Sequence, residues 1–163
     1  MFNDEHSDGN SDADTDLPEI KGPGSDFDTI DDAATDLLRY AGELTASDTR
    51  NKQLERGGDI VPNGKGGYTY DSIETGLPGE VPVKISSITV GWAHTHPPVS
   101  TVVSGASNIN LRNKGLSPDD IKQIKIINSH VGQAIPAYLS TPEGSILRFD
   151  AATKYRKGIK ILP

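Results

Sequence analysis

The chain has 163 residues, of which 34% are hydrophobic, 6% aromatic and 24% charged, with a formal charge of −7 and a mean hydropathy of −0.47; this suits one modest domain with a polar appendage and excludes a second full domain. No apolar run approaches the roughly 18 to 20 residues that cross a bilayer, and Met1 leads into an acidic stretch instead of a basic start and an apolar core, so the expectation is no membrane span, no signal peptide and a cytoplasmic product of synthesis. With no cysteine there is no disulfide, no thiolate cage and no Cys nucleophile, so any metal must be held by His and carboxylate ligands.

The N-terminal segment is set apart by charge. Residues 1–28 hold nine acidic side chains against Lys21 alone, and the rest of the chain has 15 basic and 14 acidic groups. A stretch rich in Asp, Ser and Gly buries too little apolar surface to offset its conformational entropy, so residues 1–25 read as a disordered acidic leader and 26–163 as the folded domain. The near-neutral body lacks the clustered Lys and Arg that phosphate contacts require, which argues against a nucleic-acid partner. Lys154, Arg156, Lys157 and Lys160 read as a solvated strand face.

In chain order, Ile30, Ala33, Ala34, Leu37, Leu38, Ala41 and Leu44 recur at helical spacing behind Thr29 and Asp32, which resemble a capping box. Asp59-Ile60-Val61 and Tyr68-Thr69-Tyr70 flank a glycine-rich turn and read as a hairpin. Val83 to His94 is rich in β-branched residues and is expected to form a central strand. Ser117-Pro118-Asp119-Asp120 opens a helix, with Ser at the cap, Pro at its first position and carboxylates in its first turn, continuing through Ile121, Ile124 and Ile127. Ala137 to Leu139 and Ile146 to Phe149 bracket a second turn, and Gly158 to Leu162 forms an edge strand.

The chemistry concentrates in Trp92-Ala93-His94-Thr95-His96-Pro97-Pro98. Side chains two apart on a strand share a face, so His94 and His96 can reach one ion, and the two prolines stop the strand and leave the pair at a sheet end. A hydrolytic zinc takes about three protein ligands and keeps a place for water. The missing third ligand is expected to be a carboxylate, and a helix starting beside the sheet end would bring Asp120. Taken singly, the His pair is as readily a locally bonded sheet edge, and Ser117 with Asp120 a helix cap. Trp92 shares the histidine face and is expected to pack beneath it. His130 reads as an ordinary surface or core histidine, His6 as tail, and Asp59 and Asp150 as turn residues.

His94-Thr95-His96-Pro97 followed by Ser117-Pro118-Asp119-Asp120 resembles the His-x-His-Pro and Ser-x-x-Asp signature of the JAMM (JAB/MPN-like) zinc metallopeptidases. More narrowly, the chain resembles the bacterial DUF4329 family, JAB-like domains found at the ends of large secreted and polymorphic-toxin proteins such as RHS-type effectors. The likeness runs over roughly residues 26–150, including Phe27 to Leu38, Glu55-Arg56-Gly57-Gly58, Gly67-Tyr68-Thr69-Tyr70 and Tyr138 to Gly144. It implies a JAB/MPN-like, cytidine-deaminase-like α/β fold, a mixed curved β-sheet flanked by helices. It implies zinc held by His94, His96 and Asp120, with water as fourth ligand, Glu55 as general base and then acid, and Ser117 as donor to the developing oxyanion. A protein or peptide substrate, an immunity protein, and delivery into a target cell or secretion by a non-Sec route follow from the same likeness. Glu74 and Glu80 are rivals of Glu55, each more readily a solvated loop carboxylate. Pro97 to Leu116 is a longer spacer than the well-known JAMM peptidases carry, and Val99 to Asn110 reads as a loop over the site.

Other His-x-His chemistries fit less well. A cupin would place a Glu a few residues on, and a metallo-β-lactamase-type site would continue with Asp and His where Pro98 and Val99 stand. Two hypotheses remain: a zinc peptidase or isopeptidase, and a catalytically inactive JAB-like domain acting as a protein-binding module.

Overall fold

The computed structural model describes residues 17–49, 54–76, 84–96 and 115–162. Helix α1 (Ile30–Ser47) starts at Thr29, whose side chain accepts the Asp32 amide; this is half of the expected capping box. Its buried face is Ala33, Ala34, Leu37, Leu38 and Ala41, the spacing read from the sequence. Strand β1 (Arg56–Pro62) turns through Asn63 to Gly67 into β2 (Tyr68–Thr69), and a short β3 (Glu74–Thr75) returns along the same edge of β1. Strand β4 (Gly91–Thr95) pairs antiparallel with β1 and parallel with β5 (Ala137–Ser140). Helix α2 (Pro118–Val131) lies between β4 and β5 in the chain. The sheet is completed by β6 (Ile146–Phe149), a 3-10 turn at Ala151–Thr153 and β7 (Gly158–Leu162) at the edge. The seven strands form one mixed, open sheet in the order β2-β1-β4-β5-β6-β7, with β3 also on β1.

Alternation along the strands divides the core. Ala93, Tyr138 and Ile146 pack with Leu37 and Leu38 of α1 and with Ile60 and Tyr70. Trp92, Ala137, Leu139 and Phe149 face the other way and pack with Ile124 and Ile127 of α2 and with Tyr155. Successive side chains on a strand point to opposite faces, so each helix covers one face and both sides of β4 are buried. All five β4 residues are buried, which makes it the central strand of the expected arrangement.

The strand expected from Val83 to His94 is shorter than its composition suggests. Val83 lies outside the described residues, and the described part before Gly91 is a turn in which the Thr89 amide donates to the Ser86 carbonyl and the Ser86 amide to the Thr89 hydroxyl oxygen. A β-branched residue extends a strand only where a neighbour completes its ladder, and Thr89 instead gives its hydroxyl proton to Asp59 at 2.8 Å. Asp59 thus sits on β1 and not in a turn. Asp150 does cap a turn, preceding the 3-10 segment, and Lys154, Arg156 and Lys157 follow it as exposed turn residues instead of strand. The packed part of the chain also extends N-terminally of residue 26. The amides of Lys21 and Gly22 donate to the buried Asp36 carboxylate at 2.6 and 2.9 Å, the Tyr70 hydroxyl donates to it at 2.6 Å, and the Gly24 amide reaches the Tyr70 carbonyl.

Among the described residues no helix is long and apolar enough to cross a membrane.

Candidate metal centre

The centre is built where β4 ends against the start of α2. His94 and His96 stand on the α2 face of the sheet, as their two-residue spacing requires, with relative exposures of 0% and 5%. Trp92, two residues earlier on the same face, stacks on the His94 ring at 4.5 Å between centroids and fixes its plane. Parallel pairing holds the end of the strand, since the His96 amide donates to the Ser140 carbonyl at 2.8 Å.

Helix α2 supplies the carboxylate through its own cap. The Ser117 hydroxyl oxygen accepts the Asp120 amide at 3.0 Å, and Asp120 Oδ2 accepts the Ser117 amide at 2.8 Å, a reciprocal capping box. These bonds satisfy two of the amides that a helix start leaves without intrahelical partners. The same Oδ2 lies 3.3 Å from His94 Nε2 and 3.2 Å from His96 Nε2, and the two nitrogens are 3.1 Å apart. The carboxylate that caps the helix is therefore the one that faces the two histidines. Because Ser117 Oγ accepts in the cap, its own proton is left to donate elsewhere.

The three atoms form a nearly equilateral triangle. An ion held tetrahedrally at about 2.0 to 2.1 Å sets its ligand atoms about 3.3 to 3.4 Å apart, close to these edges. Two imidazole nitrogens and one carboxylate oxygen are also the donor types of an open zinc site. The residues present thus fit zinc. His94 Nδ1 is buried without a hydrogen-bond partner, so its ring is oriented by stacking on Trp92 where many ligand histidines use a bonded carboxylate or carbonyl.

Glu55 completes the group. It immediately precedes β1, and extending the β1–β4 register outward from Gly57 opposite His94 sets Glu55 opposite His96. Its Oε1 is 3.7 Å from His96 Nε2, and Glu55, His94 and His96 form a buried cluster able to hold a metal ion. Burial pushes the Glu55 carboxyl above the usual carboxylate range, aided by the Asp120 charge and opposed by His94 and His96. Burial acts on Asp120 in the same direction, but the hydrogen bonds from His94 and His96, the His94 charge and the Ser117 amide outweigh it and hold that carboxyl well below its ordinary range. The surroundings thus push the two carboxyls in opposite directions, Glu55 up and Asp120 down.

The approach of β1 to β4 depends on a bare backbone. A Cβ on Gly57 would lie 2.9 Å from His94 Cβ and 3.0 Å from its Cα, and closer still to the Ala93 carbonyl oxygen. Glycine is therefore required where β1 passes His94. Sequence reading assigns no role to Gly57, Arg56 or Thr95, although a Gly-Gly pair entering a strand is the signal for such an approach.

The remaining candidates lie elsewhere. Glu74 is on β3 opposite Gly57 and accepts the Ser72 hydroxyl at 3.2 Å. His130 is exposed in the last turn of α2. His6, Glu80, Pro97, Pro98 and the segment Val99 to Asn110 fall outside the described residues. Comparison with protein families, curated proteins and solved structures finds no match to this chain.

Proposed function

We propose that the chain is a zinc-dependent peptidase or isopeptidase of the JAMM kind, with His94, His96 and Asp120 as the metal ligands. The observation that carries this reading is the triangle of Nε2, Nε2 and Oδ2 atoms at 3.1 to 3.3 Å, with the Glu55 carboxylate beside it and outside it. Zinc held there supplies an acidified water and a Lewis acid for the scissile carbonyl. Glu55 takes the proton of the attacking water and passes it to the leaving amine, work for which its raised proton affinity suits it. The Ser117 hydroxyl donates to the oxygen that gains charge, and Asp120 stays anionic. Among the hydrolases with this signature the chain resembles DUF4329 domains, so the setting we propose is a delivered bacterial effector with a protein or peptide substrate and a cognate immunity protein.

The test is metal content on tag-free protein. About one zinc per chain is expected, lost in His94→Ala and in Asp120→Ala. A peptide and isopeptide substrate screen then follows, in which Glu55→Gln still loads with zinc at saturation and does not hydrolyse. Wild-type protein with no bound zinc and no affinity for added zinc overturns the proposal. Zinc bound without hydrolysis of any substrate favours the protein-binding module instead.

A further inference from the structure

The position of Glu55 is set from behind the strand, on the face that carries no ligand. Extending the register outward from Gly57 and His94 sets Arg56 opposite Thr95 and Glu55 opposite His96. Side chains alternate, so Glu55 and the histidines share one face while Arg56 and Thr95 point to the other, toward α1. There the Arg56 amide donates to Thr95 Oγ1 at 3.0 Å. The Arg56 guanidinium, whose side chain is only 6% exposed, donates to Thr45 Oγ1 at 2.7 Å and to Asp48 Oδ2 at 2.9 Å, both at the C-terminal end of α1. On the opposite edge of β1 the Gly76 amide donates to the Glu55 carbonyl at 2.9 Å.

We propose that Thr95 and Arg56 are positioning residues that clamp the start of β1 between β4 and α1 and so hold the Glu55 carboxylate against His96. This inference rests on the metal-site reading. Thr95 is the residue between the two histidines, so one side chain ties the backbone beside Glu55 to the backbone that carries both rings. Arg56 adds direction: a planar guanidinium bonded to two groups fixes its stem more narrowly than an ammonium does. A buried ion pair is weak evidence of stability by itself, and an apolar residue packs such a place as well, so orientation is the effect that distinguishes it. Orientation matters here because Glu55 stands 3.7 Å from His96 Nε2, outside the ligand triangle, and displacements of about 1 Å at such a position lower rates by about a hundredfold.

The experiment is a set of double-mutant cycles on zinc affinity, measured by competition with a chelating indicator on the whole chain. Glu55→Gln is expected to weaken zinc by about tenfold, the scale on which groups around a ligand set act. Thr95→Val and Arg56→Met are each expected to weaken it comparably, and neither adds to Glu55→Gln when combined with it. Thr95→Ser restores wild-type affinity. Should Thr95→Val fail to fold, judged by unfolding in the presence of chelator, the Arg56→Met and Asp48→Asn cycles carry the same prediction. Additive losses, a Thr95→Val or Arg56→Met protein with wild-type affinity, or a Glu55→Gln protein with wild-type affinity each overturn the clamp. Wild-type protein that takes up no zinc removes the metal reading and the clamp together, whereas wild-type uptake with additive losses removes the clamp alone.

Discussion

Gly57→Ala tests whether the approach of β1 to β4 is as tight as the centre needs. The added methyl meets the Ala93 carbonyl and the His94 Cα and Cβ, the latter two at 3.0 and 2.9 Å, and these belong to a buried central strand that cannot turn aside. Overpacking of this kind costs about 1 to 3 kcal/mol, and the upper end applies because the clash is with backbone. With a urea m-value of about 1 to 3 kcal/mol per molar, the unfolding midpoint should fall by about 1 to 3 M. Zinc affinity should fall as well, because the strain falls on the backbone that carries His94. The control is Gly42→Ala in α1, where nothing lies within 4 Å of the new methyl and helix propensity favours alanine by about 0.8 to 1 kcal/mol. The same substitution should therefore shift the midpoint in opposite directions at the two sites. A Gly57→Ala protein with the wild-type midpoint and zinc affinity would refute the reasoning.

Ser117→Ala removes the cap of α2 and should lower stability by about 1 kcal/mol in chelator, with a separate loss of zinc affinity because the same box orients Asp120; unchanged affinity would uncouple cap from ligand. Tyr70→Phe removes a hydroxyl that donates to the buried Asp36 at 2.6 Å, a bond to a charged acceptor for which about 1.5 to 3 kcal/mol of lost stability is expected by urea unfolding. Burial raises the Asp59 carboxyl above its ordinary 3.8 against the opposing hydrogen bond from Thr89. The folded state therefore holds that proton more tightly than the unfolded chain, so this contribution to stability is full below pH 3.8 and is lost as pH rises through the folded value. Asp59→Asn keeps an acceptor for Thr89 and no longer titrates, so its advantage over wild type should be greatest at neutral pH and close in acid; urea midpoints that differ equally at all pH values would contradict this.

Much of the local structure is legible in the residues alone. The apolar spacing of α1, the Ser117-Pro118 start of α2, the two hairpin turns and the shared face of His94 and His96 all follow from interactions within a few residues, which the order of side chains specifies directly. Where a distant partner decides, that order is insufficient. Thr89 is a strand former by composition, yet it closes a turn because Asp59 of β1 lies beside it. Asp36 is a polar residue on an otherwise apolar helix face, and only folding brings it the amides of Lys21 and Gly22 and the Tyr70 hydroxyl. The same division runs through the candidate centre. The two histidines are paired by the pleat of a single strand, whereas Asp120 joins them through the placement of α2, and Glu55, not Glu74, joins them through the register of β1 on β4. Local periodicity determines which face a side chain takes; which faces meet is decided by sheet pairing and by burial on both sides of β4, and neither has a signature within one segment.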